Sequence, residues 1–257
     1  AAASINKKNY EKYHIAGTSI GDGVFVLTPL EVVTKGFNDY EKKLLKPYGD
    51  SNIIKRYCIK NSDKLVIYSD SAVKEQIKHD EKYINIKSHL DLMGPYITSS
   101  NKPYGLHRPR QIDNFVGNKI VWESMFKYND FGIDYNNVIF GMSFNIVKSV
   151  NNKYPLEYIL AILNSKTSLY WFYKNGKHRG VGVDIGVDKL RQVPVPIVND
   201  KTNIDEVVSL VRIISDLAKE NKDYTSYDLK LENEIQKLFN LTEEEKLEIE
   251  KFYQTLK

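Results

Sequence analysis

The chain has 257 residues, a hydrophobic content of 42% and a formal net charge of +4. That is enough apolar material for one large domain or two ordinary ones with a real core, and too much for a disordered segment. The longest apolar runs, such as "YILAIL", fall far short of the ~20 residues of a membrane span, and residues 1–30 lack the basic, apolar and small-residue order of a secretory leader. A cytoplasmic chain without a membrane partner is expected.

Cys58 is the single cysteine, so no internal disulfide is available, and His14, His79, His89, His107 and His178 show no metal-ligand spacing. The opening "AAAS" reads as vector residue or a cut boundary, so a piece of something longer is expected. Charge is polarised along the sequence. Residues 1–200 carry 28 Lys and Arg against 20 Asp and Glu, whereas 201–257 carry 9 against 13. A polyanion would therefore meet the body of the chain rather than its end.

In chain order, Gly17, Gly21 and Gly23 in "GTSIGDGVF" precede the strand-like Val24–Leu27. A cofactor-binding glycine turn follows its strand and opens a helix, so an ordinary loop is expected here. Further strand-like runs are Leu65–Tyr68, Lys119–Glu123 and Val138–Val147. Short helical pieces, "EKKLLK" and "SAVKEQIK", interrupt them, and their irregular spacing fits neither an all-β sandwich nor a βαβ series.

The clearest helix is "PLEYILAILNSKTSLYWFYKNG", with Pro155 at its first position, Leu156, Ile159, Leu160, Leu163 and Tyr170 on one face, and Gly176 as the stop. A loop, "GKHRGVGVD", follows. In "RQVPVPIV", Pro194 and Pro196 demand an edge strand or an unpaired extended run. From Asn203, a candidate N-cap, the pattern is helical alone. A second helix covers Ser226–Phe239, Asn240 closes it in the left-handed conformation, and Thr242 with Glu245 forms a capping box for a third helix through Tyr253. The expected fold is α+β: a mixed or antiparallel β recognition region with a core helix over 1–200, then a helical segment, 201–257, packed on it.

Catalytic signatures are missing. There is no phosphate loop, nucleophile elbow or His-Glu-x-x-His helix, and no two prolines are adjacent, which rules out the Asn/Asp-Pro-Pro-aromatic motif of adenine methylation. A metal nuclease would have to draft in Glu123 and Lys127, or Asp70 and Glu75.

Two basic clusters remain. In "YGLHRPRQ", Arg108 and Arg110 flank Pro109, as suits phosphate or guanine-edge contacts, or each pairs with a carboxylate elsewhere. In "KNGKHRG", Lys174, Lys177, His178 and Arg179 leave an aromatic helix; they either answer the helix dipole or, with the glycines, approach a phosphate backbone, the reading preferred here. Lys189 and Arg191 extend that cluster. Tyr170, Trp171, Phe172 and Tyr173 read as core before they read as a base-stacking platform.

Several stretches together resemble the TaqI-like C-terminal specificity domain of type II (type IIG) restriction-modification enzymes: "LLKPYGDSNIIKRY", "NKIVWESMF", "YILAILNSKTSLYWFY" with its Asn-Ser, "KLRQVPVPI" and the closing "LENEIQKLFNLTEEEKLEIEKFY". The resemblance implies a DNA target-recognition domain, non-catalytic by itself, attached to an adenine-specific methyltransferase domain of the same parent protein. Double-stranded DNA is then the partner, and S-adenosylmethionine is the cofactor of the methyltransferase domain, with none in this chain. Expected DNA-binding residues are Arg108, Arg110, Lys174, Lys177, His178, Arg179, Lys189 and Arg191, chosen on charge and loop context. A fragment of a type I specificity subunit and a metal-dependent nuclease are the alternatives, and a protein-binding adaptor using the acidic helices is a third.

Overall fold

The computed structural model describes residues 4–149, 154–180, 182–198 and 200–257. Ala1–Ala3 of the opening "AAAS" and Val181 of the glycine loop lie outside them. The helices are α1 (Lys7–Tyr13), α2 (Pro29–Thr34), α3 (Asp39–Lys42), α4 (Ser71–His79), α5 (Ile84–Leu92), α6 (Leu156–Asn164), α7 (Lys166–Asn175), α8 (Val187–Leu190), α9 (Lys201–Lys219), α10 (Thr225–Leu238) and α11 (Glu243–Thr255). The strands are β1 (Val26–Leu27), β2 (Leu45–Gly49), β3 (Ile54–Lys55), β4 (Tyr57–Ile59), β5 (Lys64–Ile67), β6 (Lys119–Glu123), β7 (Met125–Phe126), β8 (Gly132–Asp134), β9 (Ile139–Phe140), β10 (Phe144–Val147), β11 (Lys177–Arg179) and β12 (Gly182–Asp184). The fold is α+β, as expected.

The chain forms two compact units. One comprises residues 1–49, 62–116 and 137–139, the other 50–61, 117–136 and 140–257. Residue 200, where the sequence suggests a boundary, lies inside the second unit.

The first unit carries a sheet of order β1-β5-β2-β9, with β5 antiparallel to both β1 and β2. Its core includes Phe25, Leu27, Phe37, Ile67, Ile86, Leu90 and Tyr96. The helical reading of "EKKLLK" is corrected: α3 ends at Lys42, and Leu45 begins a strand. Pairing with β5 takes Leu45–Tyr48 out of the helix, and Glu41 anchors what remains: its buried carboxylate accepts from the backbone N–H groups of Asn38 (2.8 Å), Asn85 (2.7 Å) and Ile86 (2.8 Å). A buried carboxylate is stable only when its lone pairs are filled in this way. The "SAVKEQIK" helix is present as α4, capped by Asp70.

The second unit is built on a sheet of order β10-β6-β8-β4-β3, with β4 and β8 parallel and the β10–β6, β6–β8 and β4–β3 pairs antiparallel. Val138–Val147 is two strands of different sheets, β9 and β10, separated by a turn at Gly141–Ser143. Against the sheet pack α6 and α9, with Trp122, Phe131, Tyr158, Leu160, Val211 and Ile214 buried between them. An amphipathic helix buries its apolar stripe in this way, and that burial supplies most of its stability.

The long aromatic helix is broken in two. Ser165 sits at φ −69°, ψ 155°, where its hydroxyl accepts from the Ser168 N–H (3.0 Å) and donates to the Ile162 carbonyl (2.8 Å), capping α7. Pro155 precedes α6 as its N-cap rather than occupying the first helical position. α9 likewise begins two residues before Asn203, capped by Asp200.

The terminal helices follow the sequence reading closely. Asn240 has φ 52°, and Thr242 and Glu245 make a reciprocal capping box. α11 lies on α7: Tyr170 and Tyr173 both meet the Phe252 ring edge-on, at 5.3 and 5.2 Å, and Lys166 pairs with Glu250 at 2.5 Å. Pro194 and Pro196 stand in an unpaired run outside any strand. Among the described residues no helix is long and apolar enough to cross a membrane.

Candidate nucleic-acid interface

Two of the stretches that carry the sequence resemblance, "KRY" and "NS", meet in one polar network inside the second unit. Arg56 is the turn residue between β3 and β4, and Tyr57, the first residue of β4, holds φ 74°, a conformation bulky residues rarely adopt. It is held there from several sides. The Tyr57 N–H donates to the Phe131 carbonyl (2.8 Å), its hydroxyl to Asp228 Oδ1 (2.6 Å), and its ring packs edge-on against Tyr224. Burial pushes the Tyr57 phenol well above its ordinary pKa, so it stays a donor.

Arg56 reaches Asp228 Oδ2 through Nη1 (2.5 Å) and the Asn164 carbonyl through Nη2 (2.6 Å). The Asn164 side chain accepts from the Phe131 N–H and donates to its carbonyl, both at 2.9 Å. Asn129 donates to the carbonyls of Leu163 and Ser165, and Glu232 accepts from the Lys166 N–H at the head of α7. The "KRY" and "NS" motifs are thus a lock that fixes the break between α6 and α7 against the sheet and α10.

That break aims α7 at the basic cluster. The "glycine loop" after it is a hairpin: β11 and β12 pair antiparallel with Lys177 opposite Asp184 and Arg179 opposite Gly182, and β12 pairs in turn with β7. β11 is the edge of this three-stranded sheet, and its three side chains are all exposed. An edge strand offers unpaired backbone groups, and charge along it discourages strand addition. The glycines answer to packing. A Cβ on Gly176 would sit 2.3 Å from Val183 Cγ2, one on Gly182 would sit 2.6 Å from the Phe126 carbonyl oxygen, and Gly180 turns at φ 54°.

The expected contact residues are distributed as follows. Lys177 is exposed, and no carboxylate among the described residues pairs with it. Arg179 meets Asp184, Nε to Oδ2, at 2.8 Å, and His178 shares a hydrogen bond between Nε2 and the Tyr173 carbonyl (2.8 Å). Lys174 lies over the Tyr170 ring at 5.1 Å. Lys189 and Arg191 are exposed at and just beyond α8, with Arg191 facing Asp188 at 3.4 Å. Arg108 and Arg110 belong to the other unit. Arg108 is exposed at φ 50°, while Arg110 is half-buried over Phe115, its carbonyl accepting from the Tyr68 hydroxyl. Of the four consecutive aromatics, Phe172 is core, and Tyr170 and Tyr173 are occupied by α11.

Sequence reasoning missed Asp184 and the apolar shelf beside it. Met125, Phe126, Lys127, Arg179, Gly180 and Gly182 line a depression of about 410 Å³. The alternation in "GVD" is the only sequence signal for Asp184, and it names a partner only once the strands are paired.

The residues drafted for a nuclease fall into ordinary positions. Asp70 caps α4, Glu75 faces His79 at 3.6 Å, and Glu123 lines a depression with Lys127 and Asp130, its carboxyl pushed up by burial. Among the described residues no group of three or more His, Cys, Asp or Glu converges as metal ligands would.

The second unit thus presents a cationic hairpin at a sheet edge. The family is explicit: the model of the TaqI-like C-terminal specificity domain matches residues 46–195, more than half of the chain, and the chain belongs to that family. No curated protein matches it. Among solved structures it resembles the Type IIL restriction-modification enzyme MmeI, determined in complex with DNA, with a TM-score of 0.60 and 13% identity over 91% of this chain and 34% of that one. At that identity the likeness is one of fold, and the chain spans about a third of that enzyme's length.

Proposed function

We propose that this chain is the DNA target-recognition domain of an adenine-specific methyltransferase of the type IIG restriction-modification class, non-catalytic by itself and acting in the cytoplasm. The observation that carries the reading is β11, a sheet edge whose exposed side chains are Lys177, His178 and Arg179, on a chain of the specificity-domain family. Lys174, Lys177, Lys189 and Arg191 in one unit, and Arg108 and Arg110 in the other, supply phosphate contacts that set register, while side chains on the hairpin read base edges.

The division of labour has a physical basis. A methyltransferase extrudes its adenine from the stack at a cost of a few kcal/mol, and a second domain gripping the duplex offsets that cost. S-adenosylmethionine belongs to the methyltransferase domain of the parent protein. The test is duplex binding by this chain as a function of salt. Replacing Lys177 and Arg179 together with alanine should weaken binding to any duplex and flatten its salt dependence by about one unit of slope, the share of the Lys177 phosphate contact. Unchanged affinity and slope would remove the hairpin from the interface.

A further inference from the structure

We infer that Arg179 reads a guanine edge in the major groove and that Asp184 is the positioning residue that presents its guanidinium; this rests on the reading of the chain as a DNA target-recognition domain. Four observations converge on the pair.

The first is the shape of the element. β11 and β12 form the outer hairpin of a three-stranded sheet, with β11 at its edge and β7 behind β12, and the major groove of B-DNA admits a β-ribbon presented edge-first. The second is register. Arg179 lies opposite Gly182, which has no side chain, so the residue that meets it is the diagonal neighbour Asp184, with Nε and Oδ2 2.8 Å apart. A carboxylate that engages a planar guanidinium from its Nε side leaves the Nη1–Nη2 edge as a rigid pair of donors. Guanine O6 and N7 form the matching pair of acceptors.

The third observation is exposure. The Arg179 and Asp184 side chains are 52% and 28% exposed, and ion pairs in such a setting add little to stability, so orientation rather than folding is what Asp184 contributes. The fourth is the shelf. The depression that Arg179 shares with Lys127 is floored by Met125, itself 54% exposed, and by Phe126. An apolar lining beside a partly neutralised guanidinium suits the groove rather than the backbone, since it can meet a thymine methyl next to the guanine that Arg179 reads, whereas a phosphate seeks unneutralised cations and N–H groups. Lys177, on the same strand and the same face, has the unneutralised charge and is the phosphate contact.

The test is selection of duplexes from a randomised pool by the full chain, followed by competition binding with the selected word and its single-base variants. The wild type should enrich a word containing a guanine at which Arg179→Ala loses about 10- to 100-fold of discrimination while its binding to unrelated duplexes stays close to wild type. Arg179→Lys keeps the charge but not the fork and should lose the same discrimination. Asp184→Asn should lose part of it while unrelated duplexes bind as well or better, because a negative charge has gone, and Asp184→Glu should restore it. Lys177→Ala should weaken every duplex alike. Thermal melts of each variant identify any that fail to fold, and Arg179→Lys, which preserves charge and bulk, then carries the test.

Three results would overturn the inference, each differently. Uniform weakening of all duplexes by Arg179→Ala or Arg179→Lys would make Arg179 a phosphate contact and leave the DNA-binding function standing. Full discrimination in Asp184→Asn would remove the positioning role alone. Failure of the wild-type chain to bind any duplex would sink both this inference and the function it rests on.

Discussion

Arg56 and Asp228 are 172 positions apart in the chain, and Nη1 of the one meets Oδ2 of the other at 2.5 Å. Asp228 also accepts from the Tyr57 hydroxyl, so one carboxylate holds two adjacent residues of a strained turn against α10. Asp228→Ala leaves the Tyr57 phenol without its acceptor and the Arg56 cation with the Asn164 carbonyl in place of a counter-charge. The two charged side chains retain 22% and 23% exposure, so the loss should fall below that of a fully buried pair, at about 2–3 kcal/mol. The urea midpoint measures it. Arg56→Met combined with Asp228→Leu should cost clearly less than the sum of the single changes, because neither then strands the other.

Asn164 offers a sharper test of the same lock. Its amide satisfies both backbone groups of Phe131 in a buried setting. Asn164→Ala should cost about 1–3 kcal/mol, since the Phe131 N–H is left with only the longer bond to the Asn129 carbonyl (3.1 Å) and the Phe131 carbonyl with only the Tyr57 N–H (2.8 Å). Amide exchange at Phe131 should accelerate with it, and a protected amide in the variant would show that another partner takes over.

The hairpin distinguishes two kinds of glycine. A Cβ on Gly182 meets the Phe126 carbonyl oxygen at 2.6 Å, a backbone atom that moves only if β12 leaves β7. A Cβ on Gly180 meets nothing within 4 Å, and the only obstacle is φ 54°. Gly180→Ala should therefore cost about 1 kcal/mol, whereas Gly182→Ala should cost about 1–3 kcal/mol and impair duplex binding without changing any charge. Equal effects of the two on binding would refute this account of the hairpin.

In the other unit, His89 sets an acid limit. It is buried, with Nε2 on the Val24 carbonyl (2.9 Å), and its pKa is pushed down to about 4 by burial and then by the Lys35 charge, against the Val24 hydrogen bond and the carboxylates of Glu31 and Asp22. The folded pKa lies below the unfolded value of 6.5, so between them the unfolded chain binds more protons. Stability is full above about pH 6.5, falls as pH drops toward 4, and levels below it, a loss of about 3 kcal/mol. Melting His89→Gln across the same range should flatten that slope.

What was legible in the sequence was local. The Thr242–Glu245 capping box, the left-handed Asn240 and the strand Lys119–Glu123 depend on residues a few positions apart, and each stands where it was expected. Ser165 lies inside an unbroken apolar period, so the period alone predicts one helix, and what fixes the break is its neighbour Asn164, bonded to Phe131, 33 residues away in the chain. Glu41 reads as one more surface charge until Asn85 and Ile86 arrive from α5. The basic cluster at Lys174–Arg179 was visible by composition, but which of its members is tethered, and by what, depends on the β11–β12 register.

The path of the chain has a further consequence. It passes between its two units at residues 49/50, 61/62, 116/117, 136/137 and 139/140. Cutting out the second unit as one continuous stretch from residue 117 would discard the hairpin bearing Arg56 and Tyr57, and with it the partners of Asp228. Neither half can be inherited, shuffled or grafted by a single crossover. A lineage that exchanges this module must exchange it whole, and one that keeps it must change its target by altering side chains in place.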